Sequence, residues 1–178
     1  MPPKKTRAAA PKKASPQKKA ESSATTATAK GLKVGDVLPK GWEVVNELEE
    51  TKDLAQLFEK QGGILFFYPK ANTPGCTTQA CGFRDNFDAI AKKGYAVYGM
   101  SADSPTSQGN WKKKHQFQYH LLSDRSKDRK VLKALGVNKA PSSISRSHLI
   151  IGKGGVVEQV AYGVSPKESV EKATAFVV

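Results

Sequence analysis

Leu65-Phe66-Phe67-Tyr68-Pro69-Lys70-Ala71-Asn72-Thr73-Pro74-Gly75-Cys76-Thr77-Thr78-Gln79-Ala80-Cys81 decides how this chain folds. An apolar, β-rich run from Ile64 to Tyr68 stops at Pro69, and a short polar turn follows. Thr73-Pro74 then opens a helix, because proline is pre-organised for the first helical position and has no N–H to leave unpaired there. Strand, turn and helix start deliver one thiol, Cys76, into the first helical turn. Apolar residues recur at Ala80, Phe83, Phe87 and Ile90, so one helix is expected to run to the stop signal Lys92-Lys93-Gly94. Cys76 falls on the same stripe and faces the core side.

A helix N-terminus concentrates unpaired N–H groups and the positive end of the macrodipole, which favour an anion. A sulfur there is expected to ionise more readily than a free thiol, and the thiolate is the nucleophile. Cys81 is the second and last cysteine of the chain. In an unbroken helix residues five apart are separated by about 7.5 Å of rise and about 140° of rotation, so their Cα atoms stand roughly 8.7 Å apart. Bridgeable cysteines have Cα atoms within about 7 Å. A Cys76–Cys81 disulfide therefore requires the first turns to unwind.

Pro69-Lys70-Ala71-Asn72-Thr73-Pro74-Gly75-Cys76 resembles the Pro-x-x-x-Thr-x-x-Cys loop of peroxiredoxins, and Thr77-Thr78-Gln79-Ala80-Cys81-Gly82-Phe83-Arg84-Asp85-Asn86 is similar to the peroxiredoxin Q, or bacterioferritin comigratory protein, group. The resemblance continues through Ser101-Ala102-Asp103-Ser104 and Tyr119-His120-Leu121-Leu122-Ser123-Asp124, and covers roughly Leu32 to the C-terminus. Fungal nuclear thiol peroxidases of that group look most similar, since they join such a domain to a basic N-terminal extension.

The resemblance implies an α/β, thioredoxin-like fold: a central mixed sheet flanked by helices, with a disordered N-terminal tail. It implies reduction of hydrogen peroxide and organic hydroperoxides by Cys76, with Cys81 resolving the sulfenic acid as an intramolecular disulfide that thioredoxin or a similar dithiol reduces. It assigns Thr73 and Arg146 as side-chain donors to the reacting oxygens and Pro69 as a shield of the thiolate. Arg146 matches by its place just before the strand His148 to Ile151, and Arg84, close to Cys81 in sequence, is its rival. The group leans monomeric.

Composition bounds the alternatives. The 178 residues are 38% hydrophobic and suit one domain of residues 32–178 behind a tail of residues 1–31. No run reaches the 18 or so apolar residues that span a bilayer, so a soluble, non-secreted protein is expected. Two cysteines five residues apart in a reducing compartment point to redox chemistry. His115, His120 and His148 are scattered, so no metal site is expected, and Gly152-Lys153-Gly154-Gly155 lacks the phosphate-binding pattern, so no cofactor is either. The histidines read as surface or strand residues.

The net charge of +13 is concentrated at one end: residues 1–30 carry eight Lys and Arg against Glu21 alone, with prolines between the basic groups. Such a segment cannot bury enough apolar surface to fold. It reads as a nuclear localisation signal or a tail that contacts nucleic acid without reading sequence, which places the protein in the nucleus, with the cytoplasm as second address. A chromatin-associated redox sensor is the alternative to an enzyme.

Elsewhere the pattern predicts a strand at 42–45, a short helix at 53–58, strands at 95–101 and 119–122, helices at 106–116 and 128–135, and a loop at 140–143. A hairpin follows, pairing 148–151 with 156–162, and then a C-terminal helix from Ser165-Pro166 to about Phe176. Lys112, Lys113 and Lys114 read as a solvated face.

Overall fold

The computed structural model describes residues 31–139 and 143–178. The basic tail and Ala140-Pro141-Ser142, read above as disordered and as a loop, lie outside them. The strands are β1 (Glu43–Asn46), β2 (Thr51–Asp53), β3 (Gly62–Phe67), β4 (Tyr95–Ser101), β5 (His120–Ser123), β6 (Asn138–Lys139), β7 (Ser143–Ile144), β8 (Ser147–Ile151) and β9 (Val157–Tyr162). The helices are α1 (Pro74–Asp85), α2 (Phe87–Lys92), α3 (Pro105–His115), α4 (Lys130–Ala134) and α5 (Pro166–Val177).

One seven-stranded sheet has the order β2-β1-β5-β4-β3-β8-β9. β3, β4 and β5 pair in parallel, and β8 joins β3 antiparallel. Strand β3 is buried along its whole length and shares its side chains between two core layers. Ile64, Phe66 and Tyr68 join the layer that holds Cys76, Ala80, Phe83, Trp111 and Ala173, whereas Leu65 and Phe67 join Val44, Leu54, Phe58 and Leu132. The period of two in β3 thus gives each layer its central residues. Phe66 stacks on Phe83 at 4.7 Å between centroids and meets Tyr119 edge-on. Truncating such an aromatic to alanine costs about 3–5 kcal/mol.

Three expectations change. The short helix expected at 53–58 is a single 3-10 turn over Ala55–Phe58, and its first residue, Asp53, instead ends a strand, β2. Asp53 accepts from Ala55 N with one carboxylate oxygen and from Gly41 N with the other, closing a tight turn where a helix would need that chain to continue. The single helix expected from Thr73 to Gly94 breaks at Asn86, whose side chain donates to the Gly82 carbonyl and competes with the backbone ladder. The segment around 140–143 is flanked by a two-stranded ribbon, Asn138–Lys139 against Ser143–Ile144, too short to leave a periodic signal.

Lys112 is not the solvated residue its neighbours suggest. Its Nζ donates to Glu47 Oε1 at 2.5 Å, and His120 Nδ1 lies 2.9 Å from the same oxygen. Leu121 N donates to Oε2 at 2.9 Å, and the Glu47 side chain is only 3% exposed. Burial alone would raise this carboxyl, but the hydrogen bonds from His120, Lys112 and Leu121 N outweigh it and bring the pKa down from 4.5 to about 2. A depressed carboxyl contributes stability that is complete above the unfolded pKa and lost as pH falls through the folded one. Replacing Glu47 by Gln should cost about 2 kcal/mol at neutral pH. Thermal melts between pH 7 and pH 2 should show that gap closing below about pH 4.5, the sign expected of a lowered acid group.

Candidate active site

The sheet topology brings one end of three neighbouring strands together. β3 and β4 run in parallel, so the Pro69 turn and Asp103 leave the same edge, and β8 runs antiparallel with Ser147 opposite Phe67. Arg146, one residue before β8, therefore enters at the edge where Cys76 begins its helix.

Thr73 holds the N-cap position of α1, Pro74 and Gly75 follow, and Cys76 is the third helical residue, 1% exposed. Arg146 Nη2 points to Cys76 Sγ at 3.5 Å, and Nη1 donates to Gln79 Oε1 at 2.8 Å. Gly75 makes room for this approach, since a Cβ there would lie 3.3 Å from Arg146 Nη2. Arg84 is excluded as the guanidinium on Cys76. It binds Asp85 Oδ1 through Nε and Nη2 and donates to the His115 carbonyl through Nη1.

The turn before the helix is pinned from behind. Ala71 N donates to Asp103 Oδ2 at 2.7 Å, and Ser101 Oγ donates to the same oxygen. Asn72 takes a positive φ of 58°, a conformation asparagine tolerates, and reverses the chain into Thr73. Trp111 Nε1 donates to Thr77 Oγ1 at 3.3 Å and ties the first turn of α1 to α3.

The side chain of Thr73 makes no capping bond; its hydroxyl donates to the Lys70 carbonyl at 2.9 Å, so its one proton is committed and, unlike the donor expected from the resemblance, it is left to accept. Pro69 is exposed at the end of β3, while the burial of Cys76 comes with membership of the core layer that includes Tyr68, Ala71 and Ala80.

Both thiols are free, and α1 is continuous from Cys76 to Cys81. Cys81 is half-buried, with Sγ 4.0 Å from His115 Nδ1. Burial first, then the positive charges of Lys114 and Arg84, hold His115 below its usual range, so a neutral ring faces this sulfur. Asn72, Thr73, Pro74, Thr77, Thr78, Cys81, Lys114 and His115 line one shallow depression beside the helix start.

Sequence reasoning passed over Gln79 and Ser169, and read His115 and His148 only as surface or strand residues. Gln79 could have been found from its place one helical turn after Cys76 on the same face. Ser169 lies 90 residues further on and leaves no local signal.

A buried thiol under a guanidinium at a helix start, on a mixed sheet covered by helices, defines a thiol-based redox enzyme. Residues 34–160 match the AhpC/TSA family model, and the chain belongs to that family. It is 39% identical over 150 residues to peroxiredoxin bcp1 of Schizosaccharomyces pombe, covering 82% of this chain and 74% of the relative. Among solved structures it resembles peroxidoxin BcpB of Mycobacterium tuberculosis, with a TM-score of 0.74 and 28% identity over 82% of this chain and 96% of the other. It also resembles the Xanthomonas campestris bacterioferritin comigratory protein, whose structures address alkyl peroxide reduction (TM-score 0.69, 25% identity, 76% and 88% covered). Its place is thus the Bcp/PrxQ group of peroxiredoxins, thiol peroxidases of thioredoxin-like fold.

Replacing Arg146 by Met should lower the rate constant of hydrogen peroxide with the reduced protein by about a hundredfold, the scale of losing one preorganised donor. Arg84→Met should leave that rate within about twofold, because its guanidinium faces other partners. Stopped-flow measurement of both variants checks the assignment.

Proposed function

We propose that Cys76 is the peroxidatic residue and that Cys81 resolves it within the same chain. The observation that carries this reading is the Arg146 Nη2 to Cys76 Sγ contact of 3.5 Å at the third residue of α1. Helix amides and a guanidinium act on one sulfur and favour its ionised form.

The Cys76 thiolate attacks one oxygen of the peroxide and the O–O bond breaks. The departing oxygen leaves with a proton as water or alcohol, and the sulfur is oxidised to a sulfenic acid. Charge grows on the leaving oxygen as that bond stretches, and Arg146 together with the amides around Gly75 and Cys76 stabilises it. Thr73, whose proton is held by Lys70, accepts the O–H of the incoming peroxide. Pro69 shields the thiolate from water. The Cys81 thiolate then attacks the Cys76 sulfur and the S–O bond breaks. Hydroxide leaves and takes up a proton, and an external dithiol of the thioredoxin type reduces the resulting disulfide by exchange.

The helix must open between the two steps. The spacing of five in an intact α1 holds the Cα atoms beyond reach of a disulfide, so resolution waits on unwinding of the segment that contains Gln79. Residues 32–178 carry this activity. The basic stretch ahead of them serves nuclear import and sequence-independent contact with nucleic acid, a reading supported by its lysine groups and prolines.

With a thioredoxin system, peroxide consumption should be steady and abolished by Cys76→Ser. Consumption of about one equivalent followed by a stop would instead mark a redox sensor. The Cys81→Ser variant should form the sulfenic acid but lose turnover. Mass spectrometry of the peroxide-treated wild-type chain, unreduced, should find the peptide holding both cysteines lighter by two hydrogens.

Deleting residues 1–30 should disperse the protein through the cell without changing its peroxidase rate. Retention in the nucleus after deletion would refute the import role.

A further inference from the structure

Arg146 is the near end of a chain of polar groups that passes through Gln79, Ser169 and His148 and ends at Gln159 on β9. Its Nη1 donates to Gln79 Oε1 at 2.8 Å. Gln79 Nε2 donates to Ser169 Oγ at 2.8 Å. Ser169 Oγ lies 3.1 Å from His148 Nδ1, and His148 Nε2 lies 3.3 Å from Gln159 Oε1. Gln79, Ser169 and His148 are 0% exposed. The chain draws on α1, β8, β9 and α5, of which α1 is remote in sequence from the other three.

The polarity of the links nearest Cys76 follows from the guanidinium. A guanidinium has donors only, so Gln79 must turn its oxygen to Arg146 and its NH2 to Ser169. Ser169 Oγ then accepts from Gln79, and its own proton is left for His148 Nδ1. With the hydrogen of a neutral ring on Nε2 and directed to Gln159 Oε1, Nδ1 is left bare and accepts from Ser169. Burial pushes the His148 pKa down, in keeping with a neutral ring at pH 7.

We infer that Ser169 and His148 are positioning residues for peroxide reduction: through Gln79 they fix the Arg146 guanidinium on Cys76. Gln79 has a side-chain amide that could rotate between partners, and a buried hydroxyl backed by an imidazole acceptor leaves it one satisfied orientation. The chain also crosses the segment that separates the two cysteines. Gln79 lies between Cys76 and Cys81, so the bonds that aim the guanidinium also hold the reduced helix closed, and unwinding of α1 releases both together.

The inference rests on the peroxidase reading, and one experiment separates the two. The full chain, reduced, is mixed with hydrogen peroxide, and the rate of Cys76 thiol loss is followed by rapid quench and alkylation, with a melting curve for each variant. Ser169→Ala, which removes a single oxygen, and His148→Leu, which keeps the volume of the ring but no acceptor, should each slow oxidation about tenfold, within the hundredfold that an ångström of misplacement costs. His148→Asn, smaller than Leu but bearing an oxygen close to the position of Nδ1, should recover most of the rate. A packing role predicts the opposite order, with Leu better than Asn.

Wild-type rates in Ser169→Ala and His148→Leu, or Asn no better than Leu, would overturn the inference while leaving the peroxidase reading intact. A wild-type chain inert to peroxide would overturn the peroxidase reading and the inference with it.

Discussion

The contact between the Arg146 guanidinium and the Cys76 sulfur sets the terms for the rest of the structure. A thiol that is 1% exposed has few water molecules to solvate its anion, so the protein must supply donors in their place. The start of α1 gives unpaired amides and Arg146 gives a full charge, and both have to reach the same sulfur. That requirement explains a sheet in which β8 runs antiparallel beside β3, because only then does the residue before β8 meet the turn after β3. It also explains Gly75, where a side chain would crowd the guanidinium.

The same helix that places Cys76 under Arg146 holds Cys81 apart from it, since a spacing of five along an intact α1 keeps the two Cα atoms beyond disulfide range. The helix start is accordingly held by side chains. Trp111 donates to Thr77, Gln79 links Arg146 to Ser169, and Asp103 fixes the turn before it. Hydrogen bonds of this kind contribute about 1 kcal/mol each and together favour the intact helix. The further contact of α1 with α5 through Gly82, where a Cβ would lie 2.7 Å from Val170 Cγ2, sets the C-terminal helix against α1 just after Cys81.

Several errors in reading the chain have one origin. Asp53, Asn86 and Lys112 look ordinary for a helix or a solvated face, and each is redirected by a hydrogen bond to a specific partner. Asp53 closes a turn, Asn86 takes the Gly82 carbonyl, and Lys112 reaches a carboxylate 65 residues away. Periodicity records which face is apolar and is silent about polar pairing. The histidines show the same limit: His148 is fully buried between Ser169 and Gln159, while His120 is half exposed beside Glu47.

By itself the sequence determined the strand from Ile64, the proline-marked helix start, the thiol in its first turn and the spacing that keeps Cys81 apart. All of these depend on neighbours within a few residues, where backbone propensity and helical geometry act directly. It also placed Arg146 before the right strand, through resemblance. Only the tertiary structure decided that Arg146 rather than Arg84 faces Cys76, that the Thr73 proton goes to Lys70, and that Gln79, Ser169 and His148 stand behind the guanidinium. Those choices are made by side chains brought together from distant parts of the chain, and the direction of a hydrogen bond is fixed only when both partners are in place.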